Sequence, residues 1–234
     1  MKRATLLTAG LVGVALLLAA GRPTGAQGTA VDVELAFIVD ASGSIDEAET
    51  RLQRQGYVDA LRNPKVQSAI TGGLTGGIAV AYIEFAAEGC NRLSVPWTRI
   101  HDVASAEAFG RQILAAPLTY CPGGNAIGDA LSFAGHSIEV NDFKGIRRVI
   151  DISGDGPNTV GSSVEFARDR IVASGVTING LVIHRPSMPN LDAYFRNAIT
   201  GGPGSFVIKA ENRASFAEAI LKKMILEIAM QPAG

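Results

Sequence analysis

The chain alternates between short, continuous apolar runs and longer stretches in which apolar residues recur every three or four positions. Residues 33–39 (VELAFIV) and 77–85 (GIAVAYIEF) are runs rich in β-formers, the second preceded by Gly72, Gly73 and Gly76. Between them, residues 47–61 have helical spacing, and Asn63-Pro64 is expected to close that helix. Residues 93–97 predict a short strand that Pro96 confines to a sheet edge, because proline has no N–H for a ladder. Helices are predicted over 104–114, 127–138, 162–173, 191–199 and 214–229, and further strands over 148–152, 176–183 and 205–208. In the last helix an apolar stripe is expected to pack on the sheet, with Lys222, Lys223 and Glu227 on a solvated face. Strand and helix alternate almost throughout, and the strands read as apolar on both faces. The pattern predicts an α/β fold: a doubly wound, mostly parallel sheet of about six strands with helices on both faces.

The first 26 residues break this pattern. They hold Lys2, Arg3 and Arg22, no acid, an apolar run over 6–20 and the small-residue exit Thr24-Gly25-Ala26. That order reads as a secretory signal peptide over 1–26, with a domain over 27–234. The run is short for a membrane span of roughly 20 residues. The expected protein is therefore exported, periplasmic or secreted, with no span after processing.

Composition narrows the class. The 234 residues carry 21 Lys and Arg against 22 Asp and Glu, and 47% are hydrophobic. Loss of three basic residues with the leader leaves a domain four charges negative. Such a chain is too apolar to be disordered and has no basic patch for nucleic acid. An exported domain with Cys90 and Cys121 as its two cysteines is expected to join them in a disulfide.

The chemistry gathers after the first strand. There is no G-x-G-x-x-G and no phosphate-binding G-x-x-x-x-G-K-[ST]; the loop reads Asp40-Ala41-Ser42-Gly43-Ser44. Asp40, Ser42 and Ser44 offer three oxygen side chains beyond a buried strand end, where α/β sheets place ligands. Hard oxygens suit Mg2+, Mn2+ or Ca2+ and not zinc or copper. The competing use for such residues is to cap the following helix. Two further loops fall at strand ends or helix starts: Gly123-Gly124-Asn125 and Gly154-Asp155-Gly156.

With these three loops the sequence resembles the von Willebrand factor A domain and its metal-ion-dependent adhesion site, over about residues 31–229. That family combines D-x-S-x-S with a G-G-T-type loop and a T-D-G-type loop. The first motif matches fully at Asp40, Ser42 and Ser44. The second has Asn125 where threonine is usual, and the third has Gly154 where threonine is usual, followed by Asp155-Gly156. The phrases YIEF, VPWTRI, AIGDAL, VIDISGDG, INGLVI and GGPGSF look like a bacterial exported branch of unknown function. The resemblance implies a metal site of Asp40, Ser42, Ser44, Asn125 and Asp155 holding Mg2+, Mn2+ or Ca2+. Two carboxylates only offset a divalent ion, which leaves it able to accept an Asp or Glu from a protein partner. The implied protein is a non-enzymatic adhesion-type module and a monomer. The alternatives are a metal-dependent hydrolase on the same fold, or a structural domain with a degenerate site.

Other polar residues have plainer uses. Glu84, inside an apolar strand, either orients the serine loop as an acid behind the ligands or pairs with Arg92 or Arg99. Asp151 lies roughly 13 Å along an extended chain from Asp155 and is expected to be a structural buried acid. His101, His136 and His184 share no metal-binding spacing, and Ser153 has no evident base. Thr119 is a lesser alternative to Asn125.

Overall fold

Each predicted apolar run is a strand of one sheet in the computed structural model, which describes residues 28–43, 45–118, 121, 123–212 and 215–229. In chain order the elements are β1 (Thr29–Asp40), α1 (Glu47–Arg62), α2 (Pro64–Thr71), β2 (Ile78–Phe85), β3 (Asn91–Ile100), α3 (Val103–Ala115) and α4 (Ile127–Val140). They continue as β4 (Phe143–Gly154), α5 (Val164–Ala173), β5 (Thr177–Ile183), α6 (Leu191–Tyr194), β6 (Val207–Ala210) and α7 (Phe216–Ala229). After α6 the chain makes one π-helical turn, Phe195–Ile199. The strand order is β3-β2-β1-β4-β5-β6, and every pairing is parallel except β2 with β3.

Alternation along β1 divides the core. Val33, Leu35, Phe37 and Val39 point to a cluster with α1, α2, α3 and α7, while Ala36 and Ile38 point to a second cluster with α4 and α5. All eight residues of β2 are buried. β1 lies between β2 and β4, so the chain winds outward from it in both directions. The carboxyl ends of β1 and β4 therefore open a crevice at the switch point, where such sheets bind ligands.

The structure extends the sequence reading at one element and corrects it at another. Asn63 ends α1 as expected, but helical structure resumes at once. The Asn63 side chain accepts from the Lys65 N–H at 2.9 Å and starts α2, with Pro64 as its first residue. In α7, Lys222 is exposed, but Lys223 and Glu227 are fully buried and not on a solvated face. One helical turn separates them, so both face the sheet. There the Lys223 ammonium lies 2.6 Å from Asp151 on β4 and also pairs with Glu227. Asn179 on β5 donates to Glu227 at 3.0 Å. Burial, and then the Asp151 charge, push Glu227 up to about 8, against the pull of Lys223.

Cys90 and Cys121 form a disulfide, which ties the β2–β3 turn to the segment leading into α4. The Trp97 indole N–H donates to the Ser137 hydroxyl at 2.7 Å and packs on the second core. At the sheet margin, β3 shows a register irregularity between Val80 and Ile83 of its partner strand, opposite the Pro96 region. The segment 1–26 lies outside the described residues. Among the described residues no helix is long and apolar enough to cross a membrane.

Candidate functional site

Three loops meet at the crevice between β1 and β4. β1 ends at Asp40, opposite Phe85 of β2, and Val39 pairs with Ser153 of β4. The loop then turns, with the Ile45 N–H donating to the Ser42 carbonyl at 2.8 Å. Helix α1 is capped by Asp46, whose carboxylate accepts from the Glu49 N–H at 2.8 Å while Glu49 reaches back to the Asp46 N–H at 3.0 Å. That capping box takes the role which Asp40 or Ser42 would otherwise have filled. Ser44 and Thr119 lie outside the described residues.

Asp40 is the most constrained group here. Its Oδ1 accepts from the Ser42 N–H at 2.8 Å, and the Ser42 hydroxyl also bonds this carboxylate. Its Oδ2 is buried and has no hydrogen-bond partner among the described residues. Burial pushes the Asp40 carboxyl up to about 6 and the Asp155 charge adds to this, while hydrogen bonds from Ser42 and from the Asp155 N–H to the carboxylate oppose it. A side-chain carbon on Gly154 would stand 3.3 Å from Asp40 Oδ2, so the glycine keeps the wall beside this oxygen low.

Asp155 follows β4 directly, is nearly buried, and lies 3.4 Å from the Arg185 guanidinium at its Oδ2. Asn125 reaches the same place from the loop before α4. A methyl on Gly156 would come within 2.6 Å of Asn125 Nδ2, so the amide lies against the Asp155-Gly156 turn. Asn125 is itself pinned: its N–H donates to the Thr159 hydroxyl at 2.8 Å, and its carbonyl accepts from the Thr159 N–H at 2.9 Å. The loops also touch through Gly43, where a side-chain carbon would lie 4.0 Å from the Gly123 carbonyl oxygen. Asp40, Ser42, Asn125 and Asp155 are thus brought together. A groove of about 490 Å³ runs beside Ser42 and Gly43, walled by Thr50, Leu118 and Cys121.

Glu84 lies one residue before the strand end, across from Val39. Its arginine is Arg54 of α1 and not Arg92 or Arg99. Arg54 Nε and Nη2 donate to Glu84 at 2.8 and 2.9 Å, and the Ser94 hydroxyl donates at 3.0 Å. Arg54 also donates to the carbonyls of Ala116 and Pro117 at 2.5 and 3.0 Å. Glu84 and Arg54 therefore fix the helix after the first loop to the segment before the second. Sequence reasoning missed Arg54 because a cation on a helix reads as solvated, and missed Thr159 because no motif contains it. Arg185 had one legible signal, its place just beyond a predicted strand end.

Ser153 is fully buried and accepts a hydrogen bond from the Tyr57 hydroxyl at 3.3 Å; burial holds that phenol well above its ordinary range. His101 and His136 are exposed and His184 is half-buried. Among the described residues no three His, Cys, Asp or Glu side chains cluster. The donor set is acid-poor: two carboxylates, a hydroxyl and an amide. Hard oxygens around a buried, unpartnered carboxylate oxygen fit a small divalent cation.

Solved structures with this fold are numerous. Proximal thread matrix protein 1 from the mussel byssus is 16% identical over 86% of this chain and 49% of its own, with a TM-score of 0.60. A second structure of that protein is described as having a zinc-occupied MIDAS motif. The pilus adhesin SpaC from Lactobacillus rhamnosus GG is 14% identical over 85% of this chain and 31% of its own, TM-score 0.61. The vWF domain of the pilus tip protein Mfa5 from Porphyromonas gingivalis is 12% identical over 87% of this chain and 98% of its own, TM-score 0.57. The chain thus spans about half the length of the mussel protein and a third of SpaC. No protein of curated function matches the sequence. The family described as "Protein of unknown function (DUF1194)" matches residues 30–232. The chain belongs to this family, and its fold is that of a von Willebrand factor A domain.

Proposed function

We propose that the chain is a protein-binding module that captures a partner's Asp or Glu through a divalent cation. The carrying observation is Asp40 Oδ2, a buried carboxylate oxygen without a hydrogen-bond partner among the described residues, beside Asp155 and facing the low wall at Gly154. Asp40, Ser42, Ser44, Asn125 and Asp155 would hold Mg2+, Mn2+ or Ca2+. Bound there, the ion supplies a Lewis-acidic position for an outside carboxylate. The chain's own part is to hold ligands in place: Ser42 orients Asp40, Thr159 fixes Asn125, and Arg54 with Glu84 braces the surrounding segments. The reading is non-enzymatic, because it asks these residues to hold an ion and nothing more. Export through a leader over 1–26, to the periplasm or beyond, and a monomeric state complete the proposal.

Titration of the chelated protein with Mn2+ tests it. Saturable binding in the wild type that disappears in Asp40→Ala and in Asp155→Ala is the expected result. Mn2+ binding that survives both substitutions overturns the site. Phosphoester turnover dependent on Asp155 would replace the adhesion reading with a hydrolase.

A further inference from the structure

Two arginines meet carboxylates near the strand ends, and their settings differ sharply. Arg54 is buried, bonds both oxygens of Glu84 and spends further N–H groups on two backbone carbonyls. Among the described residues Arg185 makes one ion pair, with Asp155 Oδ2 at 3.4 Å, and its side chain is 39% exposed while that of Asp155 is 7% exposed. The first arrangement is a saturated structural joint. The second is a half-solvated cation resting on the carboxylate that the proposed ion also needs.

The backbone at Arg185 is held independently of that contact. The His184 N–H donates to the Ala210 carbonyl at 2.9 Å, which fastens the start of the loop to β6. The Met188 N–H donates to the Arg185 carbonyl at 2.9 Å, closing a turn. The long arginine side chain can leave Asp155 without unfolding the loop that carries it.

We propose that Arg185 is the exchangeable counter-charge of this site. Its guanidinium offsets Asp155, is repelled when a divalent cation binds Asp155, and swings outward. There it offers its N–H donors to the incoming partner carboxylate. Two buried carboxylates close together are costly without a cation, and a guanidinium held a few ångströms from a divalent cation is repelled by it. Arg185 and the ion should therefore alternate on Asp155. Arg185 would weaken metal binding while giving the site a second, directional group for acids. This inference rests on the metal reading above.

The test compares wild type, Arg185→Gln and Arg185→Lys by Mn2+ titration and by thermal unfolding in chelator. Removing a like charge a few ångströms from the ion should tighten Mn2+ binding about tenfold in Arg185→Gln. The gain should shrink as salt is added. Arg185→Lys, which keeps the charge, should stay near wild type. In chelator, Arg185→Gln should melt below wild type, and saturating Mn2+ should remove the gap. Equal or weaker Mn2+ binding by Arg185→Gln overturns the exchange role and leaves the metal site standing. Absence of Mn2+ binding in all three proteins overturns the metal site, and the exchange role with it.

Discussion

Lys223 is the ammonium that meets both Asp151 and Glu227 inside the core, so its removal has a calculable effect. It is fully buried, 2.6 Å from Asp151, paired with Glu227 and 5.6 Å from the centre of the Phe206 ring. Methionine fills similar space without charge. Lys223→Met would strand the buried Asp151 carboxylate beside Glu227, which at its raised value of about 8 keeps its proton at pH 7 and accepts from Asn179. Breaking a buried pair by removing one partner costs about 3–5 kcal/mol. A domain of this size loses about 2–4 °C in melting midpoint per kcal/mol, so the midpoint should fall by roughly 6–20 °C at pH 7. The loss should lessen at lower pH, as the stranded Asp151 takes up a proton. The triple variant Lys223→Met, Asp151→Asn, Glu227→Gln removes every charge and should recover most of the stability. Thermal unfolding followed by circular dichroism measures all of this. A loss under about 1 kcal/mol in the single variant would refute the argument, because burial this complete leaves no water to solvate the stranded Asp151.

Glu227 also sets a pH dependence. Its folded value of about 8 lies above the ordinary 4.5, so between these the native state binds the extra proton and stability falls as pH rises. Wild type should lose stability from about pH 5 to 8 relative to Glu227→Gln, which mimics the protonated acid; parallel profiles would count against it. The disulfide spans 31 positions, so Cys90→Ser/Cys121→Ser should cost about 3.5–4 kcal/mol in the chain-entropy model, read from chemical denaturation. A change under about 1 kcal/mol would mean that this loop is already constrained without the bond.

The strands were legible because the second half of β1 and all of β2 are buried on both faces and so are mostly apolar. β4 was legible only in its second half. Its first residues, Phe143 to Arg147, are intermediate or exposed, and their sequence FKGIR carries no strand signal. α2 was hidden because Asn63 serves two helices at once, ending one and capping the next. The inward side of α7 was misread because charge in a helix signals water unless partners are known. Those partners, Asp151 and Asn179, come from strands far away in sequence. At the site, the motif positions Asp40, Ser42 and Asp155 stood out from local pattern alone. Arg54 and Thr159 did not, since each acts through a contact more than 29 residues distant in the chain.

Both margins of the sheet are unfit for growth. β6 is four residues long. β3 is longer, but Pro96 interrupts it with a residue that has no N–H, near an irregularity in register. A second copy finds no long open ladder at either margin on which to add a strand. Copies of the chain at high local concentration are thereby discouraged from joining edge to edge into aggregates. Under the proposed function, association falls instead to the loops at the strand ends, where it depends on chemistry specific to a partner.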